Sequence, residues 1–241
     1  MLLFGLYGGY YGGYYMDWTY VLVLIGAVIS IIASSRVNST FHKYAKVKSM
    51  SGMTGSETAQ MILNYAGIHD VKIERISGKL SDHYDPRDKV LRLSDSTYAD
   101  TSVAAIGVAA HECGHAIQHQ ENYGPLALRS TLVPVANVGS KLGIPIIILG
   151  VIMSYNYTLI QLGIWVFAIA VLFQLVTLPV EFNASGRAIK LLEQYKILGS
   201  NEIKDCKKVL GAAAMTYVAA AAATILQLLR LVVLFGGKRD D

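Results

Sequence analysis

Apolar residues are distributed unevenly along this chain. Four stretches are almost free of charge: Trp18 to Ala33, Leu132 to Met153, Leu159 to Val180 and Val209 to Leu234. Each approaches or exceeds the ~20 apolar residues a helix needs to cross ~30 Å of hydrocarbon. This predicts a first span at 18–34, two more within 132–180 and a fourth at 209–235. The uncharged turn Ser154-Tyr155-Asn156-Tyr157-Thr158 divides the middle pair, so 132–180 reads as a helical hairpin that leaves one membrane face and returns to it. Pro134, Lys141 and Pro145 interrupt its first arm and blur where that arm starts. Arg230 is awkward in lipid: it snorkels, finds a partner, or shows that part of the fourth helix packs on globular sequence.

Residues 36–125 have ordinary globular patterning. Ser56 and Glu57 open a helix with Ala59, Ile62 and Leu63 on one face, and Gly67 ends it. Val71 to Ile76 alternates like a strand. Leu80 to Tyr84 and Val90 to Leu93, joined by Asp85-Pro86-Arg87-Asp88, predict a β-hairpin. The small apolar run Ser102 to Ala110 opens a buried helix over about Thr101–His119. The expected fold is therefore a mainly α membrane protein, a multi-span helical bundle with an α+β domain that carries this helix and a small β-hairpin.

Composition agrees with a bilayer. The 241 residues are 53% hydrophobic and only 16% charged, where soluble domains carry about 25% charged residues, and the mean hydropathy is +0.41. A net charge of +4, without a basic tract interleaved with aromatics, argues against nucleic acid as a partner. The two cysteines, Cys113 and Cys206, make no disulfide framework and are expected to stay reduced. Arg36, Lys43, Lys46 and Lys48 follow the first span, and Arg187, Lys190, Lys196, Lys204, Lys207 and Lys208 follow the hairpin. Excess positive charge marks the cytoplasmic side, so 36–125 and 181–208 are expected there. The glycine- and tyrosine-rich residues 1–17 lack the basic start of a cleavable signal peptide. They read as a membrane-interface segment or a disordered aromatic tail, and 236–241 as a short C-terminal tail.

The chemistry enters at His111-Glu112-Cys113-Gly114-His115, an H-E-x-x-H pattern. Residues four apart share a helix face, ~6 Å apart along the axis. Both imidazoles can then reach one zinc ion at ~2.0–2.1 Å. Glu112 lies beside the metal, where a general base for a metal-bound water belongs. Ionisable residues this dense in an apolar helix call for pairing or a metal. Cys113 faces away from such a site and reads as a small core residue.

A zinc hydrolase needs a third protein ligand and one open position. His119 lies ~12 Å along the helix from His111 and does not match the spacing of the longer H-E-x-x-H-x-x-G-x-x-H motif. Glu181, in Leu178-Pro179-Val180-Glu181-Phe182-Asn183-Ala184-Ser185, is the better candidate. His111 precedes the hairpin and Glu181 follows it, so both lie on one membrane face. A glutamate at the tip of an apolar span also wants a cation partner. The plainer reading makes it an interfacial acid that caps the following helix.

Together, H-E-C-G-H-A-I-Q, the two-span hairpin, L-P-V-E-F-x-A-S and the Tyr84-Asp85-Pro86-Arg87 to Leu93-Ser94 stretch resemble the bacterial membrane-bound neutral zinc metallopeptidases (YugP-like). The likeness covers most of 50–235. More distantly the chain resembles gluzincin membrane proteases of the HtpX and CAAX prenyl-protein type. The resemblance implies a zincin-like catalytic domain at 36–125, one Zn²⁺ per chain on His111, His115 and Glu181, and Glu112 as the catalytic residue. It also implies a multi-pass protein of the bacterial inner membrane with its site facing the cytoplasm. Asn183 stands where the family usually has an acid, and Gly186 where a basic residue is frequent. Asn183 is expected to accept a hydrogen bond from a ligand imidazole, without charge.

The leading function is a membrane zinc endopeptidase acting on a peptide or membrane-protein substrate in contact with the lipid bilayer. Val90–Leu93 is expected to pair with an extended substrate by strand addition. Tyr98, Tyr217, His83 and Arg187 are the candidate transition-state donors. A catalytically silent zinc-binding scaffold is the alternative. A haem-binding bundle fits poorly, because His111 and His115 share one helix. Oligomeric state is not encoded in any motif.

Overall fold

The structure, a computed structural model, describes residues 17–236, so the N-terminal tail apart from Asp17 and residues 237–241 lie outside it. It is mostly helical, with a small three-stranded sheet. In chain order the elements are α1 (Tyr20–Tyr44), α2 (Gly55–Tyr65), β1 (Lys72–Ile76), β2 (His83–Asp85), β3 (Val90–Ser94), α3 (Asp95–Tyr98), α4 (Val103–Gln120), α5 (Gly124–Ile152), α6 (Tyr157–Gln194) and α7 (Ser200–Phe235).

Helices α1, α5, α6 and α7 are long and apolar enough to cross a membrane. They pack as a row in which α1 lies on α7, α7 on α6 and α6 on α5. Three of them run past their apolar parts. α1 continues beyond Ala33 to Tyr44, because 34–44 contains no glycine or proline to stop it. α6 carries on through Glu181 to Gln194, and α7 already begins at Ser200. The stretch 181–208 is thus mostly the ends of two long helices. α5 starts at Gly124 with Pro125 in its first turn, where a missing N–H costs nothing, and accommodates Pro134 and Pro145 inside.

The α5–α6 hairpin closes through glycines. A Cβ on Gly163 would lie 2.8 Å from the Gly143 carbonyl oxygen and 2.9 Å from the Ile147 nitrogen. Only a residue without a side chain allows backbones this close.

The predicted Arg230 problem has a local answer. Its guanidinium meets Asp17 at 3.2 Å and stacks 4.1 Å from the Tyr20 ring centroid. Arg230 therefore pairs, and the pair ties the start of α1 to the far end of α7.

Beyond one end of this row lie α2, the sheet, α3 and α4. α2 is capped by Thr54, which exchanges hydrogen bonds with Glu57, and Gly67 ends it with φ +69°. The core joins Ile62 and Leu63 of α2, Leu91 and Leu93 of β3, and Val103, Ile106 and Cys113 of α4 to Leu192 of α6 and Leu210 of α7. Full burial of one such aliphatic side chain stabilises by ~1.5–3 kcal/mol. The same core holds α4 on the extensions of α6 and α7, so the extramembrane layer and the membrane row are one packed unit.

The sheet order is β1-β3-β2, with β1 parallel and β2 antiparallel to β3. The expected β2–β3 hairpin is present. The strand assigned to substrate pairing is not available for it, because β3 is central and its backbone is bonded on both sides. The free edges belong to β1 and β2.

Gly163→Val should lower the melting temperature of the detergent-solubilised protein, through overpacking worth ~1–3 kcal/mol. Gly211→Val, where nothing stands within 4 Å of the new Cβ, should leave it nearly unchanged. Circular dichroism during heating measures both.

Candidate metal centre

Helix α4 crosses the extramembrane end of α6 at Gly114. A Cβ there would sit 2.7 Å from the Ala184 carbonyl oxygen, so only glycine lets the helices touch at this depth. The crossing places His111 and His115, one turn apart on α4, over Glu181 of α6. His111 Nε2 lies 3.3 Å and His115 Nε2 3.5 Å from Glu181 Oε2. One ligand atom from each residue falls within a 4.8 Å circle. The two imidazole rings stand nearly perpendicular, at 86°, with centroids 4.8 Å apart. All three sequence-predicted ligands therefore converge.

The groups behind the imidazoles determine which nitrogen faces the centre. The Gln118 amide nitrogen donates to the Val180 carbonyl at 2.8 Å and to Asn183 Oδ1 at 2.9 Å. A backbone carbonyl only accepts, so the amide orientation follows from the network. Gln118 Oε1 then faces His115 Nδ1 at 3.0 Å, and Nδ1 must carry the hydrogen. That leaves the lone pair of a neutral His115 on Nε2, toward Glu181. His111 Nδ1 is likewise held by Ser185 Oγ at 3.1 Å. Partners of this kind orient metal-binding histidines and raise their basicity.

Charge completes the arrangement. Glu181 is nearly fully buried, and its Oε2 receives no well-directed hydrogen bond although two imidazoles crowd it. Its other oxygen meets Arg129 Nη1 of α5 at 3.3 Å. For His115, burial works against the charged form, but the adjacent Glu181 and Glu112 carboxylates outweigh it and push the pKa up. The cluster is thus a buried, negatively biased place that favours positive charge. A carboxylate oxygen without a donor, beside two imidazole nitrogens, fits a divalent cation. A two-nitrogen, one-oxygen donor set suits zinc better than calcium or magnesium, which prefer oxygen alone.

Glu112, buried on α4, is close enough to influence His115 electrostatically. Among the candidate donors, Tyr217 of α7 alone comes alongside both Glu112 and Glu181. His83 is exposed and bonds the Ser81 carbonyl, Tyr98 packs on the core, and Arg187 is engaged by Asn183 and Glu121. His119 bonds the Tyr84 hydroxyl at 2.9 Å, outside the cluster. Cys113 is fully buried beside the Ala59 carbonyl, and burial pushes its thiol pKa up. Asn183 was expected to accept from an imidazole; it instead accepts from Gln118 and Arg187, so it acts on His115 only through Gln118.

Three residues of the site were not singled out by sequence. Gln118 and Ser185 carried a usable signal, lying three residues beyond His115 and four beyond Glu181 on the same helix faces. Arg129 carried none, because only the packing of α5 on α6 brings it to Glu181.

Residues 19–236 match the family model described as "Putative neutral zinc metallopeptidase". The chain is 47% identical over 223 residues to the "Putative membrane protease YugP" of Bacillus subtilis (strain 168), covering 92% of this chain and 99% of that protein. No solved structure matches. A match across nearly the whole chain, with a His-His-Glu cluster at its centre, makes this protein a member of that zinc metallopeptidase family.

Proposed function

We propose that this protein is a multi-pass zinc metalloendopeptidase of the bacterial plasma membrane, with its site at the cytoplasmic membrane surface. The observation that carries the reading is the convergence of His111, His115 and Glu181 around one point, with Glu112 beside it. One zinc ion per chain would be held by His111 Nε2, His115 Nε2 and a Glu181 oxygen. Bound there, zinc supplies Lewis acidity toward a scissile carbonyl and lowers the pKa of water toward ~7.

The chain's own groups do the rest. Glu112 takes a proton from the attacking water and delivers it to the leaving amine. Tyr217 supplies a hydroxyl to the oxygen on which negative charge develops; Arg129 balances Glu181 and sets the local field. Gln118 and Ser185 hold the imidazole tautomers. The free edge of β2, rather than β3, accepts an extended substrate backbone. It leads to a cavity of about 540 Å³ lined by Pro86, Arg87, Gln118, His119 and Leu126. Gln118 joins that cavity to the metal centre.

Elemental analysis beside a peptidase assay separates these roles. His111→Ala, His115→Ala and Glu181→Ala should lose both zinc and activity, while His119→Ala keeps its zinc. Glu112→Gln should keep zinc while hydrolysis falls by ~10²–10⁴-fold. Tyr217→Phe should also keep zinc and slow hydrolysis by ~10²–10³-fold, the usual loss for one oxyanion donor. Full zinc in Glu181→Ala would place the third ligand elsewhere. An unchanged rate in Glu112→Gln, or proteolysis indifferent to a chelator, would leave the silent scaffold as the better account.

Orientation has its own test. Cys113 and Cys206 are buried, so a cysteine placed at Lys46 or Lys196 should be the main reactive thiol. Membrane-impermeant maleimide applied to intact cells should fail to label either variant and should label both after permeabilisation. Efficient labelling of intact cells would reverse the topology.

A further inference from the structure

Helix α5 carries a lysine deep in its membrane-crossing part. Lys141 lies twelve residues beyond Arg129, which meets the metal centre, and eleven before Ile152, where the helix ends. At 1.5 Å per residue these separations are ~18 Å and ~16 Å, against ~30 Å of hydrocarbon. Lys141 is therefore near mid-bilayer. Its four-carbon stem is far shorter than either distance, so snorkelling alone does not bring the ammonium to water.

The described residues offer it no counter-charge. No Asp or Glu occurs at 18–34, 132–180 or 209–235. The acids at the borders are already engaged, Asp17 with Arg230 and Glu181 in the metal centre. Lys141 is also not part of the hairpin contact, since α5 packs on α6 through Ala136, Gly139, Gly143 and Ile147. Lys141 and Asn137 are exposed at the surface of the chain.

Lys141 is not an isolated anomaly. Asn137, Val133, Ser130 and Leu126 precede it in steps of four, four, three and four residues, the spacing of one helix face. The upper three of these line the 540 Å³ cavity together with Gln118, the residue that holds His115. One face of α5 thus runs from an unpaired ammonium at mid-membrane, past an amide, into the cavity beside the metal centre. Charged residues inside a membrane face a protein interior, a partner or water, because lipid does not solvate them.

We infer that this face of α5 is the docking site for a membrane-spanning helix that carries a carboxylate near its middle. That carboxylate pairs with Lys141, Asn137 donates its amide to the same helix, and the helix end rises into the cavity. The occupant is a membrane-inserted substrate, an assignment that rests on the peptidase reading. A second copy of this chain does not fit, because it brings no carboxylate to that depth.

The test uses the full-length Glu112→Gln protein, donor-labelled, in phosphatidylcholine vesicles. Acceptor-labelled synthetic leucine-alanine helices with flanking lysines carry Glu, Gln, Leu or Lys at their centre. Energy transfer should report binding of the Glu peptide about tenfold tighter than the Leu peptide, in line with single polar contacts between membrane helices. Lys141→Met should reduce the Glu peptide to the level of the Leu peptide while leaving zinc content unchanged. Lys141→Glu should reverse the preference toward a Lys-centred peptide. Equal binding of the Glu and Leu peptides, or an intact preference in Lys141→Met, overturns the proposal. So does cross-linking of two Lys141→Cys chains to each other without peptide, which would make the face a self-association surface. Binding is read in a form designed not to cleave. A failed peptidase assay with the preference intact would therefore refute the peptidase and leave the docking site.

Discussion

The contact on which the site depends is the crossing of α4 over α6 at Gly114. Two of the proposed ligands lie on one helix and the third lies more than sixty residues away, so no local sequence rule can assemble them. Backbone approach against Ala184 does so. If Gly114 carried a side chain, the helices would separate by more than the margin that ligand distances allow. The aliphatic core from Ile62 to Leu210 holds the crossing shut. The membrane row fixes the height of α6, since Glu181 stands directly above its apolar span.

Around that crossing, hydrogen bonding and charge act in the same direction. Gln118 uses both amide hydrogens elsewhere, so its oxygen can only accept, and the adjacent imidazole can only donate. The tautomer is therefore set by a carbonyl on α6, the same helix that bears Glu181. Buried carboxylates are costly unless a cation answers them. Here the answering charges are the Arg129 guanidinium on one oxygen and, on the other, whatever positive species the histidines help to hold. The arrangement is selective for its place in the fold: removing any one of these helices leaves a buried charge or a buried amide unmatched.

Much of this was legible in the sequence, and the limits have physical causes. The H-E-x-x-H spacing encodes a local helical geometry, so His111, Glu112 and His115 could be read directly. Glu181 was reachable because a hairpin returns the chain to the face it left. Arg129 was not, because its role follows from the rotation of α5 against α6, set by Gly143 and Gly163 rather than by any pattern around Arg129 itself. The strand expected to pair with substrate differs for a related reason. Val90–Leu93 lies just before the H-E-x-x-H helix, which made it the expected substrate-pairing strand; its buried, apolar positions instead place it at the centre of the sheet. The spans end before the helices do because hydropathy reports where lipid ends. Helix continuation depends on breakers, and neither 34–44 nor 200–208 contains one.

The two cations inside the apolar spans show how the same cost is met in different ways. Arg230 is buried, with Asp17 and the Tyr20 ring around it, and it joins the first membrane helix to the last. That pair completes itself within one chain and serves the packing. Lys141 sits on a surface that no other described residue covers, on a face that leads to the cavity beside the proposed metal centre. Had Lys141 served packing, its partner would be found on α6, the helix that α5 packs against. That interface is instead built around glycines and apolar side chains. A membrane helix that solves its packing with small residues while keeping a charge on its adjacent face has separated the two tasks. The small residues hold the hairpin together. The charge is left for something that arrives from the bilayer.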